Sequence, residues 1–396
     1  MHFLLRATLA DRMRRLLLLV SAIIFVDALL FTTLTPLIPA YAEEFHLSKA
    51  GAGLLVGAYG AGALLGGIPG GLAAARFGPK RTVIAGLLLL SVSSFAFAAA
   101  NSALALGGAR FIQGIASTAT WAGALAWISI TAPSSRRGEV IGTAFGAAIF
   151  GAVLGPAFGG LADFAGVGLA FTIVGAVMLA FAALASLARP ANRENASLAG
   201  LRRAFRDRRF VGGLWLNMLP AMLFGLLIVL IPLALDDAGW GTFAIAAVFF
   251  GSGLVEVVLN PMLGRFSDRV GRLLPIRAAL GASVLVAVAL AVSSRAAILA
   301  LLVSAAGISF GSLYTPGMSL TSHRAEAAGL AQGLAFGVMN TAWALGEVIG
   351  PSAGGALADS TSDAAPYLVG AALCALTLGA TYRVVGRMRP SEASPS

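Results

Sequence analysis

Charge is scarce in this sequence: 11% of its 396 residues are Asp, Glu, Lys or Arg, against roughly 25% in soluble domains. With 58% hydrophobic residues beside so few charges, a soluble fold would leave apolar surface in water, whereas a bilayer covers it with lipid. A single cysteine, Cys374, excludes an intramolecular disulfide and argues against a metal cluster. The three histidines, His2, His46 and His323, fall in a tail or at the ends of apolar runs, which argues against an enzyme working inside the membrane. No Gly-x-x-x-x-Gly-Lys-Ser/Thr loop occurs, so ATP is not the expected energy source. No polar segment approaches domain size, which argues against a receptor with a soluble output domain. No cofactor is expected.

What is present is a series of long apolar runs. Spanning the hydrocarbon core takes about 20 such residues, more when tilted. Twelve runs are found near 16–41, 50–75, 82–100, 104–131, 139–164, 167–188, 211–235, 240–264, 274–293, 296–322, 329–359 and 363–385. The first follows a basic segment, Met1 to Arg15, but is too long for a signal peptide, so it is expected to be retained. The net charge of +10 would suit nucleic acid, yet the charges sit in the breaks between runs. With the N-terminus inside, the inner segments hold 24 of the 27 Lys and Arg; Lys49 and Arg295 lie outside and Arg110 lies within a run. That asymmetry predicts both termini in the cytoplasm of a multi-pass cell (inner) membrane protein. The Asn195-Ala196-Ser197 sequon then falls in the cytoplasm and stays unused. The segment around Leu198, Leu201 and Phe205 is either an amphipathic surface helix or a solvated basic linker.

An internal repeat organises the runs. Gly71 to Gly78 matches Gly264 to Gly271, and Pro36 to Pro39 matches Val229 to Pro232, both offset by 193 positions; Gly155 to Gly160 matches Gly350 to Gly355, offset by 195. The expected fold is therefore an all-α membrane protein of twelve transmembrane helices in two pseudo-symmetric six-helix bundles. The bundles cover 1–188 and 211–396, joined by a cytoplasmic linker at 189–210. In folds with parallel repeats the solute site lies near the midplane between the halves.

These motifs resemble the major facilitator superfamily, and within it the twelve-helix drug:proton antiporters, over nearly the whole chain. Its Gly-x-x-x-Asp-Arg-x-Gly signature appears as Gly71, Arg76 and Gly78, with Ala75 in place of the acid, and complete as Gly264, Asp268, Arg269 and Gly271. The resemblance implies that these loops help hold the cytoplasmic side closed. Arg110 to Gly114 is similar to a motif tied to proton coupling. Gly151, Gly155, Pro156, Gly159 and Gly160 resemble the antiporter signature, which implies export. Asp27, with Pro36 and Pro39 beyond it, looks like the first helix of monoamine and drug exporters, although Gly311 and Asn340 stand where monoamine carriers have acids.

Ionisable groups within the membrane are functional candidates, and there are four: Asp27, Arg110, Glu256 and Glu347. Asp27 lies roughly 16 Å from the inner end of its run and Arg110 roughly 9 Å from the outer end of its own, so in a core of about 30 Å the two come to similar depth. Asp27 either pairs permanently with Arg110 or exchanges it for a proton or a cationic substrate. Glu256 either binds a proton or pairs with a loop arginine such as Arg265 or Arg269. Glu347 departs from its repeat mate, Ala152, which suggests a specialised task. Phe31, Gln113, Trp121, Asn217, Tyr314, Asn340 and Trp343 either line an amphipathic pocket or pack helices. The function expected is proton-coupled export of small amphipathic or cationic drugs by a monomer, with small solute, protons and lipid as its partners and no nucleic acid. A metabolite exporter of the same fold is the alternative; a membrane enzyme or lipid-handling protein is the more distant one.

Overall fold

The computed structural model describes residues 2–133, 136–191, 198–270, 273–330 and 332–386, with side chains over 13–133, 136, 139–191, 200–259, 273–330 and 334–382. Among the described residues the regular structure is helical. In chain order come α1 (His2–Thr33), a 3₁₀ turn (Thr35–Leu37), α2 (Ile38–Glu44), α3 (Lys49–Phe77), α4 (Pro79–Ala98), α5 (Ala103–Thr131), α6 (Arg137–Ala165) and α7 (Val167–Leu187). Then follow α8 (Leu198–Arg206), α9 (Arg208–Asp237), α10 (Thr242–Val270), α11 (Leu273–Val292), α12 (Ala296–Gly311), α13 (Tyr314–Ala327), α14 (Gln332–Ser360) and α15 (Ala364–Gly386).

Local chemistry sets the boundaries. Ser48 and Ser102 accept from the backbone N–H of Gly51 and Ala105 at the starts of α3 and α5, as N-caps do. Gly78 adopts φ 95°, a conformation that costs glycine nothing, and Pro79 opens α4 directly behind it. Two of the expected runs are each divided. Pro36 has no N–H and its ring crowds the carbonyl four residues back, so α1 stops at Thr33 and α2 begins only at Ile38. Pro316 has the same effect on the run at 296–322, which splits into α12 and α13.

Ten spans among the described residues are long and apolar enough to cross a membrane. The chain is a multi-pass membrane protein. Helices α5 and α14, each of 29 residues, are less apolar because they turn polar side chains inward: Arg110, Gln113 and Ser117 on one, Glu347 on the other, all buried. Between α7 and α9 lies the amphipathic helix α8, whose Ala204 joins Phe210, Leu214, Ala325 and Leu334 in a small apolar cluster.

The two copies of the glycine–proline motif make equivalent packing. On α6, a Cβ at Gly151 or Gly159 would lie 2.1 or 2.2 Å from the Phe25 or Thr33 carbonyl of α1. On α14, a Cβ at Gly346 or Gly350 would lie 2.4 or 2.2 Å from the Met218 or Met222 carbonyl of α9. Only glycine permits such backbone approach. Helices α3 and α14 also pack antiparallel through Gly53, Gly57, Gly60 and Gly67, which meet Pro351, Ser352, Glu347 and Thr341 in turn.

Candidate functional site

A central cavity of about 270 Å³ lies between the two halves of the chain, with Asp27 and Phe31 of α1 and Trp121 of α5 on one side and Asn217 of α9, Tyr314 of α13 and Trp343 of α14 on the other. Asn340 joins this wall, as do Tyr59, Ser117, Phe145 and Phe336. One aromatic contact bridges the halves, with the Phe31 ring 5.3 Å from Trp343, and the same ring lies 4.9 Å from Tyr59 within the first half. Asp27 is the only charged side chain among the lining residues.

Asp27 is 2% exposed. Its Oδ2 accepts from Ser117 Oγ at 2.6 Å and from Trp121 Nε1 at 2.6 Å. Ser117 and Trp121 are one turn apart on α5, so one helix face presents both donors. The other oxygen, Oδ1, is buried and has no hydrogen-bond partner among the described residues. Each hydrogen bond to an ionised group is worth about 1.5–3 kcal/mol, and a carboxylate at the centre of a membrane helix costs about 2.5–3.5 kcal/mol. The two donors therefore offset part of the cost of placing this carboxyl within the membrane.

The expected pairing of Asp27 with Arg110 is not formed. Arg110, 1% exposed, donates through Nη2 to the Phe31 carbonyl at 3.2 Å, and through Nη1 to Gln113 Oε1 at 3.2 Å and the Leu30 carbonyl at 3.5 Å. The guanidinium also stacks over the Tyr59 ring at 4.6 Å. The reason is the early end of α1. The last four carbonyls of a helix lack intrahelical donors, and a cation is favoured at that end of the dipole; Arg110 therefore binds one turn beyond Asp27.

Gln113 is a correction as well: it is fully buried as the partner of Arg110 and does not line the cavity. Glu347 is 3% exposed and also stands behind the lining, in the space that Gly60 of α3 leaves open, where a Cβ would lie 2.9 Å from the glutamate's own Cβ. Glu256 is half-buried away from the cavity, on the α10 side that faces α12, where Gly307 makes room for its carboxyl. Arg265 and Arg269, its suggested partners, have side chains outside the described residues.

The glycine–proline motif of α6 holds α1, and with it Asp27, in place. Pro156 cannot donate to the Ala152 carbonyl, and Thr32 Oγ1 of α1 fills that vacancy at 2.9 Å. Gly155 faces the same threonine and Gly160 faces Ala246 of α10. In the first loop signature Gly71 packs near Gly337, Arg76 lies over the Phe77 ring at 5.7 Å, and Gly78 makes the turn. Gly271 lies outside the described residues, as do the side chains of Asp268 and Arg269 and the surroundings of Gly264.

Sequence reading missed Tyr59 and Ser117. The signal for Ser117 was present, since Arg110, Gln113, Ser117 and Trp121 follow helical three- and four-residue spacing. It also missed a clasp at the end of the bundle remote from the N-terminus. Asp359 of α14 accepts from the backbone N–H groups of Lys49 and Ala50 at 3.2 and 2.8 Å, and Lys49 Nζ pairs with Asp363 at 2.5 Å.

Comparison with known proteins bears on this geometry. The family model of the Major Facilitator Superfamily matches residues 20–336. Multidrug resistance protein 2 of Bacillus subtilis (strain 168) is 25% identical over 350 residues, covering 85% of this chain and 87% of that protein. Multidrug resistance protein 1 of the same organism is 29% identical over 346 residues, covering 85% and 88%. The crystal structure of a bacterial homologue of the human lysosomal transporter Spinster, inward-facing and unoccupied, aligns with a TM-score of 0.77 at 16% identity, covering 96% of this chain and 99% of that one.

Proposed function

The chain belongs to the Major Facilitator Superfamily, and on that premise we propose that it is a proton-coupled antiporter exporting lipophilic cations or neutral amphipathic drugs. The observation that carries this reading is the lone carboxyl of Asp27 in an aromatic wall shared by both halves. A lipophilic cation is attracted to aromatic faces by about 0.5–2 kcal/mol each and to the carboxylate by charge. A proton satisfies the same carboxyl without the cation, so each displaces the other. The similarity to Bacillus multidrug resistance proteins supports drugs over other solutes.

In this reading the helices make twelve crossings. The α1–α2 and α12–α13 pairs each count once, and α5 and α14 complete the ten apolar spans. Residues 1–188 and 211–396 form two bundles joined by the linker at 189–210, with both termini in the cytoplasm and the clasp at Asp359 on the outer face. Protonation of Asp27 from outside releases the cation. The halves then rock about the cavity and the proton leaves inward. Arg110 holds the end of α1 through the cycle, and Glu347, set between α3 and α14, is a second candidate proton site.

Reconstitution in liposomes tests the proposal. A pH gradient, acid inside, should drive a fluorescent lipophilic cation into the lumen, and Asp27→Asn should abolish that uptake while leaving the protein folded. Uptake that ignores the gradient contradicts proton coupling; uptake unchanged in the variant contradicts the role of Asp27.

A further inference from the structure

A second cavity lies off the central axis, at the face of the bundle where α1 begins, between α1, α5 and α7. It is larger, about 1280 Å³, and shares no lining residue with the first. Arg15, Arg136 and Arg189 line its polar part, Leu16, Leu19, Phe181 and Leu184 its apolar part, and among the described residues no acid lines it. We propose that this cleft binds one anionic phospholipid from the adjoining leaflet, with the phosphate between Arg15 and Arg189 and an acyl chain along α1 and α7.

The cationic end is held in place. Lys80 Nζ donates to the Ser186 and Ala188 carbonyls at 2.7 and 2.6 Å. The fully buried Trp127 donates through Nε1 to the Arg189 carbonyl at 3.2 Å. These three bonds fix the backbone at the end of α7 and just beyond it, while the Arg189 side chain stays exposed. Arg136 is held by Glu139 at 2.6 and 2.8 Å, so its charge is largely matched. Among the described residues neither Arg15 nor Arg189 has an ion-pair partner.

The apolar end opens sideways. Leu184 and Leu187, both lining residues, are 52% and 82% exposed. From Arg15 to Ala22 the wall descends along α1 by roughly 10 Å, from the interface into hydrocarbon. A soluble anion would match the guanidinium groups alone and a neutral amphiphile the leucines alone, whereas an anionic phospholipid matches both. The inference needs only a membrane-spanning chain and does not rest on the export reading.

Native mass spectrometry of the full-length protein in detergent tests it, with phosphatidylglycerol titrated against phosphatidylcholine of the same chains. One phosphatidylglycerol should bind saturably and in preference to phosphatidylcholine. Removal of a basic group near the surface weakens anionic-lipid binding about fivefold, so Arg15→Gln with Arg189→Gln should weaken it about 25-fold. Arg202→Gln with Arg203→Gln removes equal charge from α8 and should bind as the parent does. If the first pair fails to fold, each single variant should lose about fivefold. Equal losses in both pairs, no preference between the lipids, or full competition by glycerol phosphate alone would each overturn the proposal.

Discussion

Thr32 shows how one side chain joins helix packing to the site. Its hydroxyl supplies the hydrogen bond that Pro156 denies to the Ala152 carbonyl, and so ties α6 to the helix that carries Asp27. Thr32→Val leaves that carbonyl without its donor, at a cost of about 1–3 kcal/mol. The variant should melt at a lower temperature in detergent, and Thr32→Ser should restore the value; equal melting of all three would show that the bond contributes nothing. Asp27 was legible in the sequence because a charge in an apolar run stands out, and Trp121 because large aromatics do. The roles of Gln113 and Arg110 were not. Both depend on where α1 ends, and the orphan carbonyls there are a backbone property that no side-chain pattern displays.

At the scale of elements, glycine decides which helices can meet. A Cβ at Gly151 would stand 2.1 Å from the Phe25 carbonyl, so Gly151→Ala must push α6 from α1. Overpacking of this kind costs about 1–3 kcal/mol, and the expected outcome is lower thermal stability with weaker binding of a lipophilic cation, measured by calorimetry. The repeated motif was legible as spacing, and its equivalent use on α6 and α14 follows from backbone approach. The clasp was not legible, since Lys49 and Asp359 are 310 positions apart and belong to no motif. Magnitudes rank its parts. A carboxylate accepting two N–H groups at a helix start outweighs an exposed ion pair, which contributes about 0–1 kcal/mol. Asp359→Asn should therefore shift the carrier toward the state open on that face more than Lys49→Gln does, as read by spin-label distances across the clasp. The reverse order would assign the clasp to the lysine.

At the scale of the whole molecule, the helical membrane class followed from apolar runs, and the family from motifs spread over most of the chain. The division of two runs at Pro36 and Pro316 was a finer matter, because a proline permits either a kink or a stop and neighbouring packing decides which. Orientation rests on the positive-inside asymmetry alone. Cys374, the single cysteine, is buried, which leaves a quiet background for labelling. Asp237→Cys should react with an impermeant maleimide on intact cells, and Phe205→Cys only after permeabilisation; the opposite pattern would invert the topology.

The central claim is that one carboxyl, Asp27, holds either a proton or a cation. Its most direct test is to count the protons released when a lipophilic cation binds the purified carrier in weakly buffered solution across a range of pH. At low pH the empty carrier holds the proton, so binding should release close to one. Release should fall toward zero as pH rises and the carboxyl ionises beforehand, and Asp27→Asn should release none at any pH. Binding without release at every pH, or release that persists in the variant, would contradict the account.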